Sequence, residues 1–506
     1  MSKTKGVVAA GHELTVSASA EILDDGGNAF DAALAGAFMT FVAEAVFASP
    51  GGGGFLMARR AGSDKATLFD CFVETPLKRR RDGAAFFPVH ADFGPAKQEF
   101  HIGLGSSATP GAIPGLFAIH EALCRLPMKR LVEPAARAAR IGFPLSAFQA
   151  YLFTVIAPIL TASASVRRIF APGGKLMRAG EIFRNEELGE CLEWVAEDGP
   201  RLFVDGDVGR AIAEESLAQG GHLTERDLEQ YGVAIRDPLY WRHQGAAVAL
   251  NPPPAASGAL IAFGLAYLEA ISASGGAIDA LALRQALAAM NEARKRHGKD
   301  LAERLAGGAL ANDLREAQRH GGAYRGTTHV SVIDAEGNAA AISLSNGEGN
   351  GFVVGRFGFM LNNMLGEEDL ASGGLDAWRP GTRLSSMMAP TLILEPDGTI
   401  TALGTGGSNR IRAAILQVAS NLLDHGMSLE RAVAAPRLHV ERDGAVSFEP
   451  GFPEGAETAF RALGDKAHAW PERNLFFGGV HAARRHGDGG AEGAGDPRRG
   501  GVFRVV

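Results

Sequence analysis

The step Gly326-Thr327-Thr328 carries more potential chemistry than any other in this sequence. A chain cut between Gly326 and Thr327 would leave one residue with both a hydroxyl and a free amine. An α-amino group titrates near ~8, so at neutral pH part of it is unprotonated. It can then act as base for its own hydroxyl, a pairing known among activated nucleophiles. The same residue types also open an ordinary strand, because β-branched side chains suit a pleated backbone.

The residues that follow are of the kind that would hold such a threonine in place. His329, Ser331 and Ile333 alternate with Val330, Val332 and Asp334, the two-residue period of a strand. Glu336-Gly337-Asn338 supplies residues that tolerate a tight reversal, and Ala339 to Ser345 returns as a second strand. That strand breaks into Asn346-Gly347-Glu348-Gly349-Asn350-Gly351.

The bulk numbers narrow the field. A chain of 506 residues exceeds what one core normally organises, so two or more lobes are the naive count. Hydrophobic residues at 46% and charged residues at 21% are near the globular average, so most of the chain should fold. The formal charge of −7 argues against a nucleic-acid surface. Arg79-Arg80-Arg81, preceded by Lys78, is the local exception and reads as a solvated turn. Cys71, Cys124 and Cys191 are widely spaced, with no disulfide framework, and no metal-ligand pattern is visible. The first residues lack an uninterrupted apolar core of the secretory type, so the expected location is cytoplasmic. The run Ala29 to Phe47 is interrupted by Asp31 and Glu44, which suits a buried helix better than a membrane span.

Along the chain, helices are expected over Thr15 to Asp25, Ala29 to Phe47 behind an Asn28 cap, Leu116 to Leu126, Leu131 to Gly142 and Leu145 to Pro158. Others follow at Leu188 to Ala196, Gly209 to Gly220, Glu225 to Tyr231, Ser257 to Ile271, Ile278 to His297 and Ile411 to Leu423. Strands are expected at Val7 to Ala10, Phe55 to Ala58, Thr67 to Phe72, Ala246 to Leu250, Thr391 to Leu394, Thr399 to Leu403 and Val502 to Val506. The glycine run Gly51 to Gly54 precedes a strand, and no Gly-Lys-Ser/Thr follows, so close packing is favoured over a phosphate cradle. Gly105 to Gly115 and Gly487 to Gly501 read as loops, and Lys299 to Gly322 as a polar linker. Strands and helices in blocks, with hairpins, make the fold class α+β, antiparallel sheets covered by helices.

The stretch Gly326-Thr-Thr-His-Val-Ser-Val-Ile-Asp-Ala-Glu-Gly-Asn338 resembles the signature that opens the small subunit of γ-glutamyltransferases. Further blocks resemble the family in order: Gly26-Gly27-Asn28-Ala29-x-Asp31-Ala32-Ala33, Gly51 to Phe55, Pro252 to Gly258, Leu361 to Leu365, Leu384 to Met387, Ala389-Pro390-Thr391 and Gly406-Gly407-Ser408. The resemblance implies the four-layer αββα sandwich of N-terminal-nucleophile hydrolases. It also implies one intertwined unit made from a large fragment, 1–326, and a small fragment, 327–506. Scission at Gly326 would expose Thr327, which would attack a small-molecule amide and pass the acyl group to water or an amine. No cofactor, metal, nucleic acid or membrane is implied.

By the same resemblance, Ser345 orients the threonine amine, and the Gly406 and Gly407 amides receive the oxyanion. Ser385 and Ser386 match residues that meet the substrate carboxylate, and Glu367 stands where the family has an Asp for the α-amino group. Departures cluster here too. Phe72 stands where the family has a carboxylate-clamping Arg, a role no apolar side chain can fill. Met364 replaces a Gln, Asn346 is displaced next to Ser345, and Glu368 to Thr382 is too short for the lid found in many members. Arg79, Arg379 and Arg383 are candidate substitutes for the missing cation. The expected activity is transfer or hydrolysis of a γ-glutamyl or related acyl group. The alternatives are an acylase for a non-glutamyl amide, such as one with a glutaryl side chain, and an unprocessed binding protein.

Overall fold

Alternation along the strands sets the architecture. The computed structural model describes residues 4–80, 82–92, 97–297, 300–306, 326–367 and 378–506. In one sheet Val8, Leu56, Val330, Val332, Ala340 and Ile342 face one core, while Val7, Phe55, Met57, Ile333, Ala339 and Ala341 face another. A sheet that is apolar on both faces has to be covered on both. Its seven antiparallel strands run in the order Val502–Val505, Gly6–Ala10, Thr328–Asp334, Ala339–Ser345, Gly53–Arg59, Thr67–Cys71 and Ala234–Arg236. The second sheet has six, also antiparallel: Ala491–Ala494, Gly479–Arg485, Ile400–Gly406, Thr391–Leu394, Ala246–Leu250 and Leu239–His243.

Helices Glu13–Asp24 and Ala29–Ala43 cover the first sheet, and Ser257–Ala273 and Arg410–Leu423 cover the second. The result is a four-layer αββα sandwich. Strands from both sides of Gly326 contribute to both sheets and interleave in the first, so the sequence boundary there is no spatial boundary.

The nucleophile hairpin owes its register to Asp334. One of its oxygens accepts from the Gly337 and Asn338 amides, both at 3.0 Å, and the other from Ala29 N at 2.9 Å. Gly337 takes φ +94° in this turn, a value a side chain would disfavour. The turn fixes Thr328 opposite Leu344, and one step further Thr327 falls opposite Ser345.

Several sequence expectations need correction. The helix expected to reach Phe47 ends at Ala43, because Glu44 leaves helical geometry (φ −126°, ψ 37°) and its carboxylate takes two hydroxyls instead. Gly105 to Gly115 is not all loop, since helix Ala112–Leu123 starts inside it with Pro114 in its first turn, where a missing N–H costs nothing. Leu145 to Pro158 is divided into Ala147–Val155 and Ala157–Leu160. The terminal loop expected at Gly487 to Gly501 contains strand Ala491–Ala494, and Phe87–Asp92 pairs antiparallel with Lys97–Ile102, two strands absent from the expected set. Part of the supposed linker is helix Leu301–Ala306, and its remainder, like most of the Glu368 to Thr382 segment, lies outside the described residues. No helix among the described residues is long and apolar enough to cross a membrane.

Candidate active site

Thr327 sits at the mouth of the central hairpin, 5% exposed. Its hydroxyl donates to the Gly326 carbonyl oxygen at 2.8 Å. The Ser345 hydroxyl donates to the same oxygen at 2.7 Å and accepts from Gly347 N at 3.1 Å, which fixes the direction of its proton. Ser345 thus engages the carbonyl before Thr327 rather than the Thr327 nitrogen, which is an amide in the intact chain. The Gly326 N–H donates to Glu348 Oε1 at 2.8 Å, and the Thr327 carbonyl accepts from Arg499 Nη1 at 3.2 Å. The peptide on either side of the threonine is therefore held at three polar atoms.

Gly406 ends a strand of the second sheet against this point. A Cβ there would lie 2.0 Å from the Thr327 oxygen, so only glycine permits the approach. Gly407 follows with φ +123°, and Ser408 lines the cavity.

That cavity, about 310 Å³ including solvent at its mouth, is lined by Thr327, Ser345, Phe72, Glu367 and Ser386 among the residues expected from sequence. Met364, Met387, Met388, Ile411 and Ser408 complete it. Among the described residues, no Arg or Lys lines it. Phe72 is 1% exposed and stacked on Phe55 with ring centroids 5.5 Å apart, so it forms an apolar wall. The Ser386 hydroxyl accepts from Met388 N at 3.1 Å, and Glu367 lies against Gly347.

Two expected residues fall elsewhere. Ser385 is half-buried on the same segment but does not line the cavity. Asn346 is buried outside the lining, with its backbone N–H donating to Phe47 O at 3.0 Å. The proposed substitute cations do not line the cavity either. Arg383 is bound to Glu74 at 3.1 Å, to Tyr231 and to the Phe72 and Gly232 carbonyls, and it lies 3.6 Å from Asp70. Arg79 stacks on Trp378 at 4.5 Å, and Arg379 is exposed.

The electrostatics behind the threonine were not anticipated. Glu44 accepts from Thr15 at 2.9 Å and from Thr328 at 2.5 Å, and burial pushes its carboxyl up to about 6 against those hydrogen bonds and the Arg499 charge. Burial brings Arg499 down to about 10, against the raising influence of Asp496, Glu44 and Glu348. His329 is held neutral by burial, with its ring nitrogens on Ser343 at 2.8 Å and Ser331 at 2.9 Å. Glu44 carried a signal in the sequence: a carboxylate interrupting an apolar run must find partners. Glu348 stood out as the acid within a glycine-rich loop. Arg499 carried none. Among the described residues, no group of three or more His, Cys, Asp or Glu could hold a metal ion.

A four-layer αββα sandwich that presents a Gly-Thr peptide at the end of a central strand defines the N-terminal-nucleophile hydrolase class. The chain belongs to the gamma-glutamyltranspeptidase family, whose model matches residues 15–506, and it is an enzyme of that family. It is 32% identical to the Acylase ACY 1 proenzyme of Pseudomonas sp. strain V22, over 97% of this chain and 92% of that one. It is 28% identical to the Glutathione hydrolase proenzyme of Escherichia coli K12, over 98% and 90%. In fold it is similar to a cephalosporin acylase from Bacillus halodurans, with a TM-score of 0.85 at 22% identity, covering 100% of this chain and 96% of that one.

Proposed function

We propose that the protein cleaves itself between Gly326 and Thr327 and then works as an acylase, moving an acyl group from a small amide onto Thr327 and from there to water or an amine. In the first step Thr327 Oγ attacks the Gly326 carbonyl carbon and the C–N bond breaks. The hydroxyl proton passes to the departing Thr327 nitrogen, and the negative charge developing on the carbonyl oxygen is met by the Ser345 hydroxyl. Water then hydrolyses the ester, leaving a Gly326 carboxylate and the free Thr327 amine. In turnover the amine takes the proton of its own hydroxyl, and the Gly406 and Gly407 amides are the donors for the substrate oxyanion.

One observation carries this reading: the Thr327 hydroxyl, 2.8 Å from the Gly326 oxygen that Ser345 also binds, opens on a cavity walled by Phe72 and, among the described residues, without a lining cation. A γ-glutamyl group brings an α-carboxylate that such a wall leaves unpaired, at a cost of several kcal/mol. An acyl chain without that carboxylate leaves nothing unpaired there, and the similarity to a proenzyme named acylase points the same way. The γ-glutamyl reading stands second, supported by Glu367 and Ser386 in the lining.

Denaturing gels and N-terminal sequencing test the first step. Wild type should give two fragments, one beginning at Thr327, and Thr327→Ala should stay intact. For the second, kcat/KM on pentanoyl p-nitroanilide, which has the same chain length without that carboxylate, should exceed that on γ-glutamyl p-nitroanilide by tenfold or more, and the reverse order would overturn the acyl preference.

A further inference from the structure

Outside the cavity lining, a guanidinium reaches the threonine through an opening made of two glycines. Gly406 and Gly479 are paired across strands. A Cβ on Gly406 would lie 2.6 Å from Arg499 Nη1, and one on Gly479 would lie 2.6 Å from its Cγ. Arg499, 5% exposed, passes this point to donate to the Thr327 carbonyl at 3.2 Å and lies over the Phe47 ring at 5.2 Å. The nitrogen and carbonyl oxygen of one residue are at most about 3.6 Å apart by covalent geometry. The guanidinium therefore lies within about 7 Å of the Thr327 nitrogen, wherever that residue's backbone rotates.

We propose that Arg499 is a positioning residue that pins the Thr327 carbonyl and, through its charge, disfavours protonation of the amine released on the same residue, keeping that amine competent as a base. This rests on the self-scission reading above. The groups that face Arg499 set how much of its charge is felt. They are Glu44 at the end of the second helix, Glu348 in the loop after the return strand, Asp496 on its own turn and His481 on the neighbouring strand. Asp496 is engaged by Arg437 at 2.6 Å and Arg498 at 3.2 Å, and Glu348 Oε1 by Gly326 N in the intact chain. Glu44, held by the Thr15 and Thr328 hydroxyls, is a counter-charge to Arg499 that neither of those pairings occupies. At about 6 Å and an effective dielectric near ~40, a like charge moves an amine by about one pH unit. The intact chain has an amide in place of the amine, so self-scission should not share this titration.

The test uses cleaved, full-length protein labelled with [15N]threonine, in which the N-terminal amine is titrated by NMR, alongside the pH profile of p-nitroanilide turnover. Arg499→Met should move the amine titration and the acid limb of kcat/KM up by about one pH unit. Arg499→Lys, which keeps a cation, should restore the wild-type position. Glu44→Gln should move both down. A merely structural role for Arg499 would lower activity without moving the limb. An Arg499→Met titration that coincides with wild type, or an Arg499→Lys that behaves like Arg499→Met, overturns the proposal. Should Arg499→Met fail to fold or cleave, a downward displacement in Glu44→Gln with Arg499→Lys at the wild-type position supports the proposal, and a Glu44→Gln titration that coincides with wild type overturns it. A wild-type chain that is never cleaved defeats the self-scission reading itself, and a cleaved chain whose titrations coincide defeats only this proposal.

Discussion

Replacing Ser345 by alanine removes one of the two hydroxyls on the Gly326 carbonyl oxygen, and the structure gives the size of the effect on scission. In the ground state the 2.7 Å bond is an ordinary neutral one, with a net value of about 0.5–1.5 kcal/mol. In the transition state the same oxygen carries negative charge, and a donor aimed at it contributes about 2.7–4 kcal/mol. Only the difference, about 2–3 kcal/mol, enters the rate, which corresponds to a slowing of about 30- to 150-fold. The Thr327 hydroxyl cannot compensate, because it is the attacking group. The assay is the loss of the intact 52.9 kDa chain on denaturing gels, sampled over time from the first appearance of soluble protein. Ser345→Thr, which keeps the hydroxyl, should process at near the wild-type rate. A Ser345→Ala chain that matures within threefold of wild type would refute the assignment of this hydroxyl to the developing oxyanion.

Further outcomes follow from the same coordinates. Phe72→Ala opens the stacked pair with Phe55 and should cost about 3–5 kcal/mol of stability. In the fraction that still folds, it should lower kcat/KM for the pentanoyl anilide at least tenfold, and unchanged kinetics would remove Phe72 from the acyl wall. Burial pushes His481 and His439 down to about 4 from 6.5, so both are neutral when folded and take up protons on unfolding. Their contribution is complete above pH 6.5 and is lost as pH falls toward 4, at most about 3 kcal/mol each. Glu44, raised from 4.5 to about 6, acts in the opposite sense: its contribution is present below pH 4.5 and lost as pH rises through 6, at about 2 kcal/mol. The histidines outweigh it, so the urea midpoint should fall between pH 6.5 and 4.5, and His481→Asn should flatten that slope. A slope unchanged in His481→Asn would contradict the buried neutral ring.

The strands and most helices were legible because the chain is locally consistent. The period-2 pattern through Val330 and Val332 gave the nucleophile strand, and Asn28 gave the start of a helix closed by a capping box with Asp31. The turn residues Glu336-Gly337-Asn338 marked the reversal between the two arms, and the register of Thr328 opposite Leu344 came with the structure. Where expectation failed, a distant partner had intervened. Glu44 ends its helix early because Thr328, 284 residues away, offers its hydroxyl. Ala491–Ala494 becomes a strand because Gly479–Arg485 provides an edge to pair with.

By itself the sequence determined the local elements, the family and the identity of the Gly-Thr step, because periodicity, turn residues and short motifs are properties of neighbouring residues. Tertiary structure alone decided the electrostatics of the site. Arg499 reaches Thr327 across 172 residues, and Phe72 becomes a cavity wall only when Met364, Met387 and Met388 close around it. Charge and burial depend on separation in space, and the chain sets that separation only once both sheets have packed.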